Sequence, residues 1–184
     1  MEALVNQNHQ LNSTSDFWLG RRVLLTGHTG FKGSWLTLCL LQLGAELTGF
    51  AQEPEKHPGQ QSLPLFEDCC LSARLGNLHK IGDIRDIHSL NDAVQTSQPE
   101  VVFHLAAQPL VLRSYQDPLS TWSINVQGCL HLLEALKPLN HPCSVVIVTT
   151  DKVYDNQEWE FGYRECDPLG GHDPYSASKA SAEL

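Results

Sequence analysis

The chain has 184 residues, of which 41% are hydrophobic and 18% charged, and its net charge is −9. That apolar content supports a core of one ordinary domain and excludes a disordered, collagenous or coiled-coil chain. An acidic chain without a basic stripe is a poor partner for nucleic acid or for an anionic membrane surface.

The apolar stretch Trp35 to Leu43 is broken by Thr37 and Gln42, and it falls far short of the ~20 residues of a membrane span. Met1 to Asn8 has neither a basic nor an apolar signal region. The expectation is a cytoplasmic protein with no membrane partner. The six cysteines form no CxxC pair and the nine histidines are scattered. Reduced thiols, several of them in the core, and no metal site are therefore expected.

Residues 1–17 are polar and unpatterned and read as a mobile leader. From Arg21 to Thr26 the chain predicts a buried strand, and Phe31 to Leu43 a helix stopped by Gly44. Ala45 to Ala51 reads as a second strand. Residues 52–76, with Pro54, Pro58, Gly59 and Pro64, read as a loop with little regular structure. Leu78 to Ile81 is a short third strand, Asp86 to Ser97 a helix, and Val101 to Leu105 a fourth strand. Pro118 to Leu136 predicts a long helical stretch capped by Asp117, with proline at its first position. Ser144 to Thr149 is the fifth strand and 150–172 a long loop. Asp173-Pro174 then opens a final helix. Continuously apolar strands alternating with helices predict an α/β fold, a doubly wound parallel sheet.

Gly27-His28-Thr29-Gly30-Phe31-Lys32-Gly33 joins the first strand to the first helix with GxxGxxG spacing. Gly27 permits the tight turn, Gly30 lets backbone approach a pyrophosphate, and Gly33 allows close helix–strand packing. The helix N–H groups then face the phosphates. This is a Rossmann-like dinucleotide site, against the alternative of a glycine-rich turn without a ligand. The second strand ends in Phe50-Ala51-Gln52, with no acid before Glu53 and no Arg or Lys to meet a 2′-phosphate. That absence favours NAD over NADP as cofactor.

Asp83-Ile84, after the third strand, is placed to grip adenine, and Ala106-Ala107-Gln108 lets a flat cofactor lie against the fourth. His28 and Lys32 in the glycine turn are candidates to approach the pyrophosphate. Tyr175 and Lys179 stand at i and i+4 on one helix face behind the cap Asp173. An ammonium beside a phenol favours phenolate, so Tyr175 is expected to have a lowered pKa and to act as a base.

These residues, with Asn125-Val126-x-Gly128, resemble the extended short-chain dehydrogenase/reductases. Thr150-Asp151-Lys152 after the fifth strand narrows the resemblance to the nucleotide-sugar 4,6-dehydratases. The Gly27–Gly33 turn, Ala106 to Val111, Tyr154, Glu158-Trp159, Gly162 to Glu165 and Gly170 to Ser176 are similar to segments of the CDP-glucose branch. Leu112 before Arg113 and Cys129 in place of threonine depart from its pattern.

The resemblance implies a cofactor site of Gly27, His28, Gly30, Phe31, Gly33, Asp83, Ile84, Ala106, Ala107, Gln108, Asn125, Tyr175 and Lys179. It implies that NAD takes the C4 hydride of CDP-glucose while Tyr175 takes the 4-hydroxyl proton, helped by Thr150 and Lys179. Asp151 would protonate the leaving 6-hydroxyl. Lys152 would be the C5 base or, alternatively, a phosphate contact. Glu158, Trp159 and Arg164 are further candidates for substrate contact. The family's chains continue past this point into a sugar-nucleotide domain and form homodimers. Residues 18–184 are therefore expected to be an incomplete NAD-binding domain. A dTDP- or GDP-sugar dehydratase, or an inactive dinucleotide-binding remnant or sensor, remain the alternatives.

Overall fold

A computed structural model describes residues 16–54 and 64–184. Five parallel strands, β1 (Arg22–Thr26), β2 (Glu46–Ala51), β3 (His79–Ile81), β4 (Val101–His104) and β5 (Ser144–Ile147), lie in the order β3-β2-β1-β4-β5. The order reverses at β1, so the crevice beside the carboxyl ends of β1 and β4 is where such sheets take ligands.

Strand side chains alternate between faces, and both faces are covered. Leu24, Phe50 and Val102 pack with Leu90, Val94, Leu132 and Ala135 of helices α4 (Ile87–Ser97) and α7 (Gly128–Leu136). Val23, Leu25, Leu47 and Val101 pack on the other face with Leu40 of helix α1 (Phe31–Gln42) and Leu75 of helix α3 (Leu71–Leu75). The doubly wound expectation is met.

The segment expected to be a loop over 52–76 instead carries two short helices, α2 (Leu65–Asp68) and α3. Phe66, Leu71 and Leu75 are buried, and those three anchors fold a stretch whose prolines argue otherwise. Pro58 and Gly59 lie outside the described residues, as does the leader up to residue 15. Phe17 belongs to the packed body, with the Arg21 guanidinium 4.2 Å above its ring.

A further helix, α5 (Val111–Gln116), stands where none is expected. The capped helix that follows is divided into α6 (Pro118–Trp122), a π-helical turn (Ser123–Gln127) and α7. Asp117 caps it as expected, accepting from Ser120 N–H. β5 stops at Ile147, and the loop after it is pinned by a 3-10 turn (Asp151–Val153) and a bridge between Tyr154 and Leu169. Helix α8 (Pro174–Ser181) begins at Asp173, whose side chain accepts from Ser176 N–H. Among the cysteines only Cys129 is buried, and all six are free, so the thiols are mostly not core residues. Among the described residues no helix is long and apolar enough to cross a membrane.

Candidate active site

The glycine turn is shaped by backbone contacts. Gly27 has φ +74°, and a Cβ there would stand 2.7 Å from Ala106 N. A Cβ on Gly33 would stand 2.1 Å from the Gly27 carbonyl oxygen, so the helix and the turn touch directly. Gly30 is different, because a Cβ there would meet nothing nearer than 3.4 Å. Internal packing therefore does not require glycine at Gly30, whereas approach by a ligand does. Gly30 is also the N-cap of α1 and supplies no side chain to its first N–H groups, which leaves them for an anion. Phe31, 73% exposed, stands beside them. These residues fit a dinucleotide pyrophosphate.

Several expected cofactor contacts turn inward instead. The His28 ring is fully buried, its Nε2 2.7 Å from His79 Nδ1, against Phe66 and beneath Gly49, where a Cβ would collide with it. Burial, with His79 adding, pushes its pKa down to about 4. The His28 side chain thus braces the turn and does not reach out to a phosphate. Ile84 is a core residue packed beneath Gly128, so only its backbone is left for adenine.

Gln108 and Asn125 also serve each other. Asn125 Oδ1 accepts from Gln108 N–H at 2.8 Å, and its Nδ2 donates to the Gln108 carbonyl at 3.2 Å and to Ser178 Oγ at 2.9 Å. The Gln108 amide is used on Leu110 and Thr121. Asn125 therefore ties the loop after β4 to the π-helical turn and to α8, the helix that carries Tyr175. Asn125→Ala would strand the Gln108 N–H in a buried site. The expected loss is about 3 kcal/mol of stability, read from urea unfolding.

Ala106 and Ala107 follow β4, and Ala106 N–H donates to Thr26 Oγ1, which also meets His104 Nδ1 at 2.7 Å. His104 is buried, and burial with the nearby Lys179 charge lowers its pKa to about 4.

The turn after β5 and the first turn of α8 bring the chemically active side chains together. The Tyr175 phenol lies beside the Thr150 hydroxyl. Thr150 in turn donates to Asp151 Oδ1 at 3.0 Å and accepts from Lys152 N–H. Asp151, Lys152 and Asp173 line a cavity of about 300 Å³ with Tyr154, Asn156 and Tyr163. Tyr154 and Tyr163 stack at 4.9 Å and 8°. Neither Glu158, Trp159 nor Arg164 lines this cavity. Tyr154 and Tyr163 stand in segments already read as motifs, whereas nothing in the local pattern marks Asn156.

The expected lowering of the Tyr175 pKa is not found. Burial raises it, the Thr150 hydrogen bond opposes that, and the Asp151 and Asp173 carboxylates raise it further. Lys179 lies on the same helix but donates to the Val148 carbonyl at 3.0 Å, at the end of β5. Burial, which Cys129 opposes and the Lys32 charge reinforces, lowers the Lys179 pKa.

A parallel sheet in this order, a glycine turn at its first strand and a Tyr-x-x-x-Lys helix at the same edge define the extended short-chain dehydrogenase/reductase class. Within that class the chain belongs to the GDP-mannose 4,6 dehydratase family, which matches residues 24–184. It is 50% identical to CDP-glucose 4,6-dehydratase of Salmonella typhimurium over 92% of this chain and 45% of that protein. It is 33% identical to GDP-mannose 4,6 dehydratase 1 of Arabidopsis thaliana over 95% of this chain and 49% of that one. Among solved structures, UDP-glucose 4-epimerase of Thermus thermophilus, in complex with NAD, superposes with a TM-score of 0.67 at 28% identity. That match covers 88% of this chain and 48% of the epimerase. The chain spans about half the length of the curated relatives it matches.

Proposed function

We propose that this chain is the dinucleotide-binding part of a nucleotide-sugar 4,6-dehydratase that converts CDP-glucose to CDP-4-keto-6-deoxyglucose. The observation that carries the reaction type is the cluster of Tyr175 beside Thr150, with Thr150 bonded to Asp151 and Lys152 and those two on the cavity wall. The choice of CDP-glucose rests on the similarity to the Salmonella enzyme.

NAD, when bound, supplies a hydride acceptor that returns the hydride later in the same turnover. Gly27, Gly30 and Gly33 give it a backbone cradle, and Lys32 adds a cation near its phosphates. Tyr175 takes the proton of the sugar 4-hydroxyl while Thr150 holds the same oxygen. The ketone so formed acidifies the neighbouring C5–H, which lets water leave across C5 and C6. Asp151 gives its proton to the departing 6-hydroxyl. Lys152, beside Asp151 on the cavity wall, is the candidate to take the C5 proton.

Assaying the protein with its C-terminal half against CDP-, dTDP- and GDP-sugars in parallel tests the substrate. Product from CDP-glucose alone is expected, and a preference for another nucleotide overturns that assignment. Asp151→Asn tests the elimination. Initial oxidation should proceed while product formation slows, so reduced-cofactor absorbance builds up in a single turnover. Unchanged product formation with no build-up would remove Asp151 from the acid role.

A further inference from the structure

In a doubly wound sheet the adenosine ribose of a dinucleotide lies beside the end of β2. There an acid selects the 2′-hydroxyl, or an arginine accepts a 2′-phosphate. Here β2 stops at Ala51, and neither the strand nor Gln52 to Pro54 after it carries an arginine or lysine. The fold nevertheless brings one in from the β3–α4 turn. The Gln52 carbonyl accepts from Thr29 Oγ1 of the glycine turn at 2.9 Å, and Gln52 Nε2 donates to Asp83 Oδ2 at 2.7 Å.

The same Asp83 carboxylate holds Arg85. Arg85 Nη2 donates to Oδ2 at 2.5 Å, Nε to Oδ1 at 3.0 Å, and the Arg85 backbone N–H to Oδ1 at 2.9 Å. A guanidinium, whose planar fork matches phosphate, thus stands one side chain away from the ribose position and is already engaged.

We propose that Asp83 sets the dinucleotide selectivity of this chain by withholding Arg85 from a 2′-phosphate, so that NAD is taken and NADP refused. This rests on the dinucleotide-binding reading above. A 2′-phosphate entering beside Gln52 would have to displace a carboxylate from the Arg85 fork. It would also face the negative charge of Asp83, and that of Asp117, whose field also reaches Arg85. A 2′-hydroxyl, uncharged and smaller, meets neither obstacle. Pairing with Arg85 also holds the Asp83 carboxyl below the usual carboxylate range, so the charge persists at neutral pH. Selection by absence of a basic residue thus becomes selection by occupation of one.

Calorimetric titration of NAD and NADP into the wild-type protein, Asp83→Asn, Arg85→Gln and the double variant tests this. Wild type is expected to prefer NAD. Asp83→Asn frees a charge-assisted contact and should tighten NADP by about tenfold or more. The double variant should lose that gain. Arg85→Gln alone should leave NADP weak. The proposal is overturned if Asp83→Asn weakens NAD with no gain for NADP. It is overturned equally if the gain survives removal of Arg85, or if Arg85→Gln alone tightens NADP. Failure of the wild-type protein to bind either dinucleotide would instead overturn the dinucleotide-binding reading on which the proposal stands.

Discussion

Tyr175→Phe, in the protein with its C-terminal half, is expected to lower turnover of CDP-glucose by about 10²- to 10⁴-fold, the usual worth of a positioned general base. Dinucleotide affinity should be retained, because the ring and its packing stay and only the phenolic oxygen is lost. The phenol lies beside the Thr150 hydroxyl, which is bonded to Asp151, and its helix neighbours Asp173 and Ser176 line the cavity with Asp151 and Lys152. Burial and the two neighbouring carboxylates make it a reluctant acid without ligands, so oxidation at C4 should accelerate toward alkaline pH. Steady-state rates and a separate dinucleotide titration distinguish the outcomes. Retention of substantial turnover would place the base elsewhere.

Mild acid should destabilise the fold well before the carboxylates titrate. His28 and His104 are both held neutral by burial, with pKa values of about 4 against an ordinary 6.5. The unfolded chain takes up a proton on each as pH falls through 6.5, whereas the native state does so only near 4. Stability therefore declines across that interval and levels off below it as far as these groups are concerned. The full interval is worth on the order of 3 kcal/mol for each histidine. His79, also lowered by burial, acts in the same direction. Asp83, Asp86 and Asp173 are held below their ordinary 3.8, so their loss comes later, at lower pH. Urea midpoints measured from neutral pH down to 4 should fall steadily. A flat profile would show that these rings are protonated in the native state.

The parts of the site legible in the sequence are those set by backbone geometry and near neighbours. GxxGxxG follows a run of Val and Leu because a strand, a tight turn and a helix must meet within a few residues. Asp173-Pro174 marks a helix start because capping is local. What was hidden depends on partners distant along the chain. Phe66, Leu71 and Leu75 form helices in a proline-bearing stretch only because the sheet offers them a surface. The inward turn of His28 depends on His79, fifty-one residues away. Arg85 reaches the end of β2 through Asp83, so inspection of β2 alone finds no cation there. The acidity of Tyr175 followed the same rule. Helix spacing places Lys179 on its face, but the Val148 carbonyl decides where the ammonium points.

The π-helical turn at Ser123–Gln127 carries a consequence for how this segment varies among relatives. Gly128 N–H reaches back to the Ser123 carbonyl, five residues away, so the turn holds one residue more than regular winding requires. Each residue of an α-helix turns the chain by about 100°. The wider winding turns the chain less per residue, so its five residues carry α7 about as far round as four residues of regular helix would. Losing one residue between Trp122 and Gly128 would therefore restore regular winding and leave α7 facing as it does, with Leu132 and Ala135 on the sheet and Leu130 and Leu133 toward solvent. A second residue lost there has no such slack to draw on and would rotate the helix off the sheet. A homologue one residue shorter in this stretch is expected to keep its apolar pattern unshifted along the whole of α7, and a single gap followed by an intact pattern is visible in an alignment without any structure.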